Sequence, residues 1–275
     1  MNSIERFFKT VAREEVDRPA CWLGIPDKAT LPQLYKYYGV HDYVGLKVVV
    51  NDNHYPVELP YHSPYSDAIY NAFDFSKEGE MSTDERTLTK PGVFEDAKDP
   101  EEVNNFEWPQ PETYISAEEC ARVLTEVPEG KVALGILWSS HFQDTCTAFG
   151  MEAAPLNMIA NPEMYIAVDD KIIYFYLRAN EIFYENTKGR LHAVLIGNDM
   201  GSQRGLMLSP DMIRKFVLPG AIKLVEQAHS YGLKVIYHSC GAVSEIFDDL
   251  LAIGVDAQNL LVNGTPKMVA DRLGS

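Results

Sequence analysis

The sequence predicts an α/β domain built on a parallel sheet, and three observations predict it. Short β-rich runs alternate with helical patterns, as strands joined by crossover helices do. A length of 275 residues suits one large α/β unit better than two small ones, so the whole of 1–275 reads as a single domain. Hydrophobic residues at 46% and charged residues at 23% are ordinary globular values, enough to bury a sizeable core.

The first helix is expected over Ile4 to Glu14, where apolar residues recur at helical spacing. Two β-rich runs follow, Ala20 to Ile25 and Val44 to Val50. The stretch from about Asn51 to Thr113 is rich in Tyr, Pro, Asp and Glu, and reads as a long excursion suited to a lid. Ser116-Ala-Glu-Glu119 is a capping-box pattern opening a helix over Cys120 to Val127. Lys131 to Trp138 is a third strand, Pro162 to Asn186 one long helix, and Ala193 to Gly197 a fourth strand.

Ser209-Pro210 is a cap with proline at the first helical position, opening a helix over Asp211 to Tyr231 that stops at Gly232. Pro219 is expected to kink or interrupt it. A fifth strand is expected over Lys234 to His238, a helix over Val243 to Ile253, and a sixth strand over Ala257 to Val262. Thr265-Pro266 repeats the cap-plus-proline start and leads to Gly274.

A net charge of -16 repels phosphate backbones and anionic membranes, which argues against nucleic acid or a membrane surface as partner; a small molecule is the expected substrate, though the charge itself does not say so. No apolar run has the length of a signal peptide or a membrane span, which implies a cytoplasmic protein. The four cysteines, Cys21, Cys120, Cys146 and Cys240, are widely spaced and do not read as a disulfide framework.

The most informative stretch is Gly232-Leu-Lys-Val-Ile-Tyr-His238-Ser-Cys240-Gly241. Residues two apart on a strand share a face, so His238 and Cys240 can converge on one point. An imidazole nitrogen and a thiolate suit zinc, and a strand's C-terminal end is where barrel enzymes place their chemistry. The same pair can equally be a buried histidine and thiol near a turn. The polar, glycine-rich run from Gly197 to Gly205 offers Asp199 as base, substrate ligand or support for the metal histidine. Asn198, Gln203 and Arg204 stand beside it as substrate-binding candidates, and a βα loop capped by Asp199 explains the run as well. After the third strand, Trp138 can line a flat pocket and His141 can donate to a substrate, though a packed tryptophan and a surface histidine fit the same residues. No phosphate-binding glycine loop and no nucleophile elbow occurs.

The segment GNDMGSQRGLMLSPDMIRKFVLPGAIKLVEQAHSYGLKVIYHSCGAVSEIFDDLLAIGVDAQN resembles the second half of the uroporphyrinogen decarboxylase superfamily, and VAREEVDRPACW and DAKDPEEVNNFEWPQPE resemble earlier parts of it. The resemblance implies a (β/α)8 TIM barrel with its site at the C-terminal strand ends. Six readable strands fall short of that number, so the barrel is expected to be incomplete at the C-terminus of this chain. The decarboxylases carry arginines in an Arg-Gln-Ala-Gly-Arg turn after the first strand, where they bind porphyrinogen carboxylates. Here that place reads Gly24-Ile25-Pro26-Asp27-Lys28-Ala29, and a lone lysine is a poor carboxylate clamp.

The other branch implied is the corrinoid-linked methyltransferases, which hold zinc with a His-x-Cys pair and a distant cysteine. His238 and Cys240 match the pair, and no cysteine follows Cys240. The expectation is zinc-assisted methyl transfer between a small methylated substrate or thiol and a corrinoid (cobalamin) carried on a partner protein. Two alternatives stand beside it: decarboxylation of a tetrapyrrole, with Arg204 and Lys28 as its cations, and a truncated, non-catalytic remnant. Open sheet edges invite association, so a homo-oligomer is one arrangement to expect.

Overall fold

The computed structural model describes residues 1–76 and 90–260. Helix α1 covers Ser3–Val11, with Asn2 capping it by accepting the Glu5 amide at 2.8 Å. Helices α2 (Leu31–Tyr38) and α3 (Tyr43–Val49) precede strand β1 (His54–Glu58). Two short helices, α4 (Pro111–Tyr114) and α5 (Ala117–Val123), lead to β2 (Val132–Trp138). Helices α6 (His141–Phe149), α7 (Ala153–Ala160) and α8 (Pro162–Asn186) connect it to β3 (Ala193–Gly197). Then come α9 (Pro210–Phe216), α10 (Leu218–Ser230), β4 (Lys234–Ser239), α11 (Phe247–Ala252) and β5 (Ala257–Leu260).

Among the described residues, five strands form one sheet in the order β1-β2-β3-β4-β5, every pair parallel. Strands laid side by side in chain order, with helices between them, are consecutive staves of a β/α barrel. The expected helix over Thr265 to Gly274 and the last residues of the sixth expected strand lie outside the described residues.

Strand alternation divides the core. Ala133, Leu137, Val194, Ile196, Val235 and Tyr237 face the layer of α6, α8 and α10. Val132, Leu134, Ile136, Ala193, Leu195 and Ile236 face the other way, against Phe7 of α1 and Trp22. His238 falls on that second face by parity with Ile236.

Two expected strands are corrected. Val44 to Val50 is helix α3 with its following turn, because Asp42 caps it by accepting the Gly45 amide at 2.7 Å. A short run of β-branched residues is ambiguous between strand and helix, and here the cap decides. Ala20 to Ile25 joins no ladder among the described residues. Side chains take its amides instead: Thr10 Oγ1 accepts from Ala20 at 2.9 Å, Asn53 Oδ1 from Cys21 at 3.0 Å and Asp52 Oδ2 from Leu23 at 2.8 Å.

Strand β1 was hidden inside the expected excursion because Asn, Asp and Pro surround it. Pro56 is tolerated because β1 is an edge strand among the described residues. The bonds Val132 N–H to Asn53 O and Leu59 N–H to Ile136 O show that odd-numbered residues face β2, leaving Pro56 pointing outward. The described remainder of the excursion packs into the helix layer: Phe73 lies 4.7 Å from Phe175 of α8, and Phe75, Phe94, Phe106 and Trp108 gather around it.

The helix expected over Asp211 to Tyr231 is broken at Val217, and Pro219 sits in the first turn of the second piece. Ser116 caps α5, accepting the Glu119 amide at 3.4 Å. Among the described residues, no helix is long and apolar enough to cross a membrane.

At the N-terminal end of β1, Lys47 and Asp52 form an ion pair at 2.7 Å with both side chains fully buried. Lys47 also donates to the Gly24 carbonyl at 3.1 Å, and Asp52 Oδ1 accepts the His54 amide at 2.9 Å. The pair therefore ties α3 and the Cys21–Gly24 segment to the sheet. Removing one partner strands a buried charge, so Lys47→Met is expected to lower stability by about 3–5 kcal/mol. Urea denaturation of the variant beside wild type measures this, and a loss under about 1 kcal/mol would show that water reaches the pair.

Candidate metal centre

Chemistry-bearing side chains gather where β3 and β4 end. His238 is the penultimate residue of β4 and pairs with Gly197, the last residue of β3. Gly197 is needed there: a Cβ would lie 2.1 Å from the His238 carbonyl oxygen. The two following loops then run in backbone contact. A Cβ on Gly201 would meet the Ala242 nitrogen at 2.8 Å, and one on Gly241 would meet the Gly201 carbonyl carbon at 2.2 Å. Gly241 also has a φ of +81°, which a side chain would strain.

Hydrogen bonds lock the loops together. The Ala242 amide donates to the Ser202 carbonyl at 2.8 Å, the Asn198 amide to the His238 carbonyl at 3.2 Å, and the Met200 amide to Ser239 Oγ at 3.1 Å.

This contact sets Asp199 of one loop against His238 and Cys240 of the other. Asp199 Oδ1 accepts the Cys240 amide at 2.8 Å and lies 3.5 Å from His238 Nε2. Cys240 Sγ lies 3.4 Å from the same nitrogen. The three potential ligand atoms are all within 4.8 Å of one another. His238 is buried, while Asp199 and Cys240 are part-exposed, so the cluster opens toward solvent on their side. His238 Nδ1 is buried without a hydrogen-bond partner among the described residues.

The electrostatics suit a cation. Burial pushes the Asp199 carboxyl up, but the hydrogen bonds from His238 and the Cys240 amide outweigh it and hold it at about 2. Burial, followed by the charge of Asp199 and a hydrogen bond to it, pushes the Cys240 thiol up to about 11. A bound cation reverses that balance, because it stabilises the thiolate.

Trp138 ends β2 and stands edge-to-face with His238 at 5.9 Å. A bulge between Ile136 and Trp138 sets it level with Ile196, and left-handed φ values at Trp138 and Ser139 turn the chain there. Tyr70, from the segment after β1, meets the indole at 6.4 Å and extends the aromatic wall. No periodicity marked Tyr70 in advance. For the loop contact, the available signal was the glycines flanking the acidic and thiol residues.

Other expected site residues lie elsewhere. His141 is fully buried in the helix layer, not on the surface: Nδ1 pairs with Asp169 of α8 at 2.8 Å, and the Cε1 atom packs on Gly220 of α10. Asn198 is also buried, accepting the Phe142 amide at 2.9 Å and donating to the Tyr237 hydroxyl at 3.0 Å. It ties β3 to α6 and β4 on the helix side. Gln203 and Arg204 are exposed on the tight turn closed by the Gly201–Leu206 bridge, in the same loop as Asp199. Cys146 is buried as well, and burial, followed by the charges of Asp169 and Asp144, pushes its thiol far up.

The model of the uroporphyrinogen decarboxylase (URO-D) family matches residues 80–269, which include the whole cluster. The chain belongs to this family. The URO-D family is built on a TIM barrel, and the sequential parallel sheet carries its cluster at the strand ends where that barrel places chemistry. Among solved structures, a methyltransferase from Methanosarcina mazei is similar over 94% of this chain and 75% of that one, at 16% identity and a TM-score of 0.59. At that identity the likeness is one of fold. No curated protein sequence matches this URO-D family member.

Gly241→Ala is expected to drive the two loops apart and lower stability by about 1–3 kcal/mol, from overpacking against Gly201. Thermal and urea unfolding measure the cost. Unchanged stability would mean that the loops separate freely.

Proposed function

We propose that this protein is a cytoplasmic methyltransferase that moves a methyl group between a small methylated substrate or thiol and a corrinoid carrier, with zinc at His238 and Cys240. The observation that carries the reading is the convergence of an imidazole nitrogen, a thiol sulfur and a carboxylate oxygen within 4.8 Å at the ends of β3 and β4. Nitrogen and sulfur donors of this kind suit zinc, and a site open on one side leaves a position for substrate. Bound zinc would supply a cation that keeps a thiol deprotonated at neutral pH.

The protein's own residues do the rest. The β4 backbone presents His238 and Cys240 from one strand end. Asp199 anchors the Cys240 amide at 2.8 Å, fixing the thiol relative to the imidazole. Trp138 and Tyr70 form an apolar wall beside His238 that shields a small methyl group from water. The corrinoid would arrive on a separate protein, an expectation that rests on the resemblance to the corrinoid-linked branch.

Decarboxylation of a tetrapyrrole has the family's name behind it, but its substrate is rich in carboxylates. The cluster presents the carboxylate of Asp199, and Lys28 and Arg204 are both exposed. Like charges at the reacting centre disfavour such a substrate.

Elemental analysis of the purified protein is expected to find near one zinc per chain, lost in both His238→Ala and Cys240→Ala. The wild type is expected to demethylate a methylated corrinoid in the presence of a small thiol, and both variants to lose at least about 100-fold of that rate. Protein that takes up no metal when zinc is supplied would overturn the mechanism.

A further inference from the structure

We infer that Asp199 is a protein ligand of the metal beside His238 and Cys240, so that these residues supply one nitrogen, one sulfur and one oxygen. The inference rests on the metal-centred reading above and deepens it.

The distances favour it. Tetrahedral zinc with its usual bond lengths places nitrogen and sulfur ligands about 3.6 Å apart, and nitrogen and oxygen ligands about 3.4 Å apart. The observed separations are 3.4 Å for Cys240 Sγ to His238 Nε2 and 3.5 Å for Asp199 Oδ1 to His238 Nε2. Two of the three donor separations already stand at the spacing that a common metal imposes, with one ring nitrogen addressing both neighbours, and the third is within 4.8 Å. The Cys240 amide, donating to Asp199 Oδ1 at 2.8 Å, is the outer hydrogen bond that orients a ligating carboxylate.

The cysteine inventory points the same way. The chain has four cysteines, all within the described residues. Cys120 and Cys146 are buried in the helix-side core. Cys21 bonds to the Asn51 carbonyl near the start of β1, at the opposite end of the sheet from His238. None of these three cysteines lies at the cluster, whereas the Asp199 carboxylate stands within it.

The ligand set has a chemical consequence. One thiolate and one carboxylate balance the two charges of the ion, leaving a formally neutral centre. A neutral centre attracts an anionic thiol substrate better than a two-thiolate, one-carboxylate set would. It is also harder than a two-sulfur site, so it accepts cobalt and similar ions readily.

The test loads the full chain with cobalt(II) and reads the sulfur-to-cobalt charge-transfer band in the near ultraviolet, whose intensity counts thiolates. Zinc affinity is measured alongside by competition with a chromophoric chelator. Wild type is expected to show a one-thiolate band. Asp199→Cys is expected to roughly double it while keeping metal, and Asp199→Ala to bind zinc more than about 100-fold more weakly, beyond the usual cost of losing an outer-shell partner. Circular dichroism checks the fold of each variant, with Asp199→Glu as the conservative control that retains an oxygen ligand.

A one-thiolate band that Asp199→Cys leaves unchanged, with affinity kept in Asp199→Ala, would overturn the assignment of Asp199 alone. A two-thiolate band in wild type would overturn it by showing that another cysteine moves in. No cobalt band in any protein would overturn the metal reading itself along with it.

Discussion

Everything chemical in this molecule depends on two loops touching backbone to backbone. The ends of β3 and β4 approach so closely that Gly197, Gly201 and Gly241 have no room for a Cβ. Without that approach Asp199 would hang in solvent as an ordinary loop carboxylate, and His238 and Cys240 would be a two-donor pair at a strand end. With it, a carboxylate, an imidazole and a thiol meet around one point. Close contact of this kind is expensive in conformational freedom, since glycine loses the most entropy on folding. The hydrogen bonds among Asn198, Met200, Ser202, Ser239 and Ala242 offset the cost by joining the loops into one unit.

Strand alternation does the sorting around that unit. Successive residues of β4 divide their labour: Tyr237 turns to the helix layer and bonds Asn198, while His238 turns to the other face and to the cluster. Asn198 and Asp199 divide in the same way on the neighbouring loop. The even-odd split that puts apolar residues on both faces of the sheet thus also decides which polar residues serve packing and which serve chemistry. His141 belongs to the packing side. Its Nδ1 pairs with Asp169 of α8, whose Oδ1 also accepts from Thr145 Oγ1, so the polar contact joins α6 to α8, while Nε2 has no hydrogen-bond partner among the described residues.

Much of this was legible in the sequence, for reasons that can be named. The helix over Pro162 to Asn186 and the strand over Ala193 to Gly197 were readable to the residue because each is long or apolar enough for one periodicity to dominate. The break near Pro219 followed from the chemistry of proline. The spacing of His238 and Cys240 set them on one face, and only the resemblance to the methyltransferase branch marked them as a metal pair. What could not be read was tertiary. The Asp42 cap that makes Val44 to Val50 a helix is a local signal and was there to be read, whereas nothing tells Ala20 to Ile25 from a strand until Asp52 and Asn53, far along the chain, are seen taking its amides. The burial of His141 and Asn198 depends on α8, α10 and β4, tens of residues away in sequence. Tyr70 reaches Trp138 through a segment with no pattern of its own.

The central claim is that this URO-D family member gathers Asp199, His238 and Cys240 around one metal ion. X-ray absorption at the zinc edge, on protein loaded with one equivalent of zinc, tests it most directly. The account predicts a shell with a single sulfur at about 2.3 Å and the remaining ligands nitrogen or oxygen at about 2.0–2.2 Å. A shell with two or more sulfurs, or one with none, would contradict it.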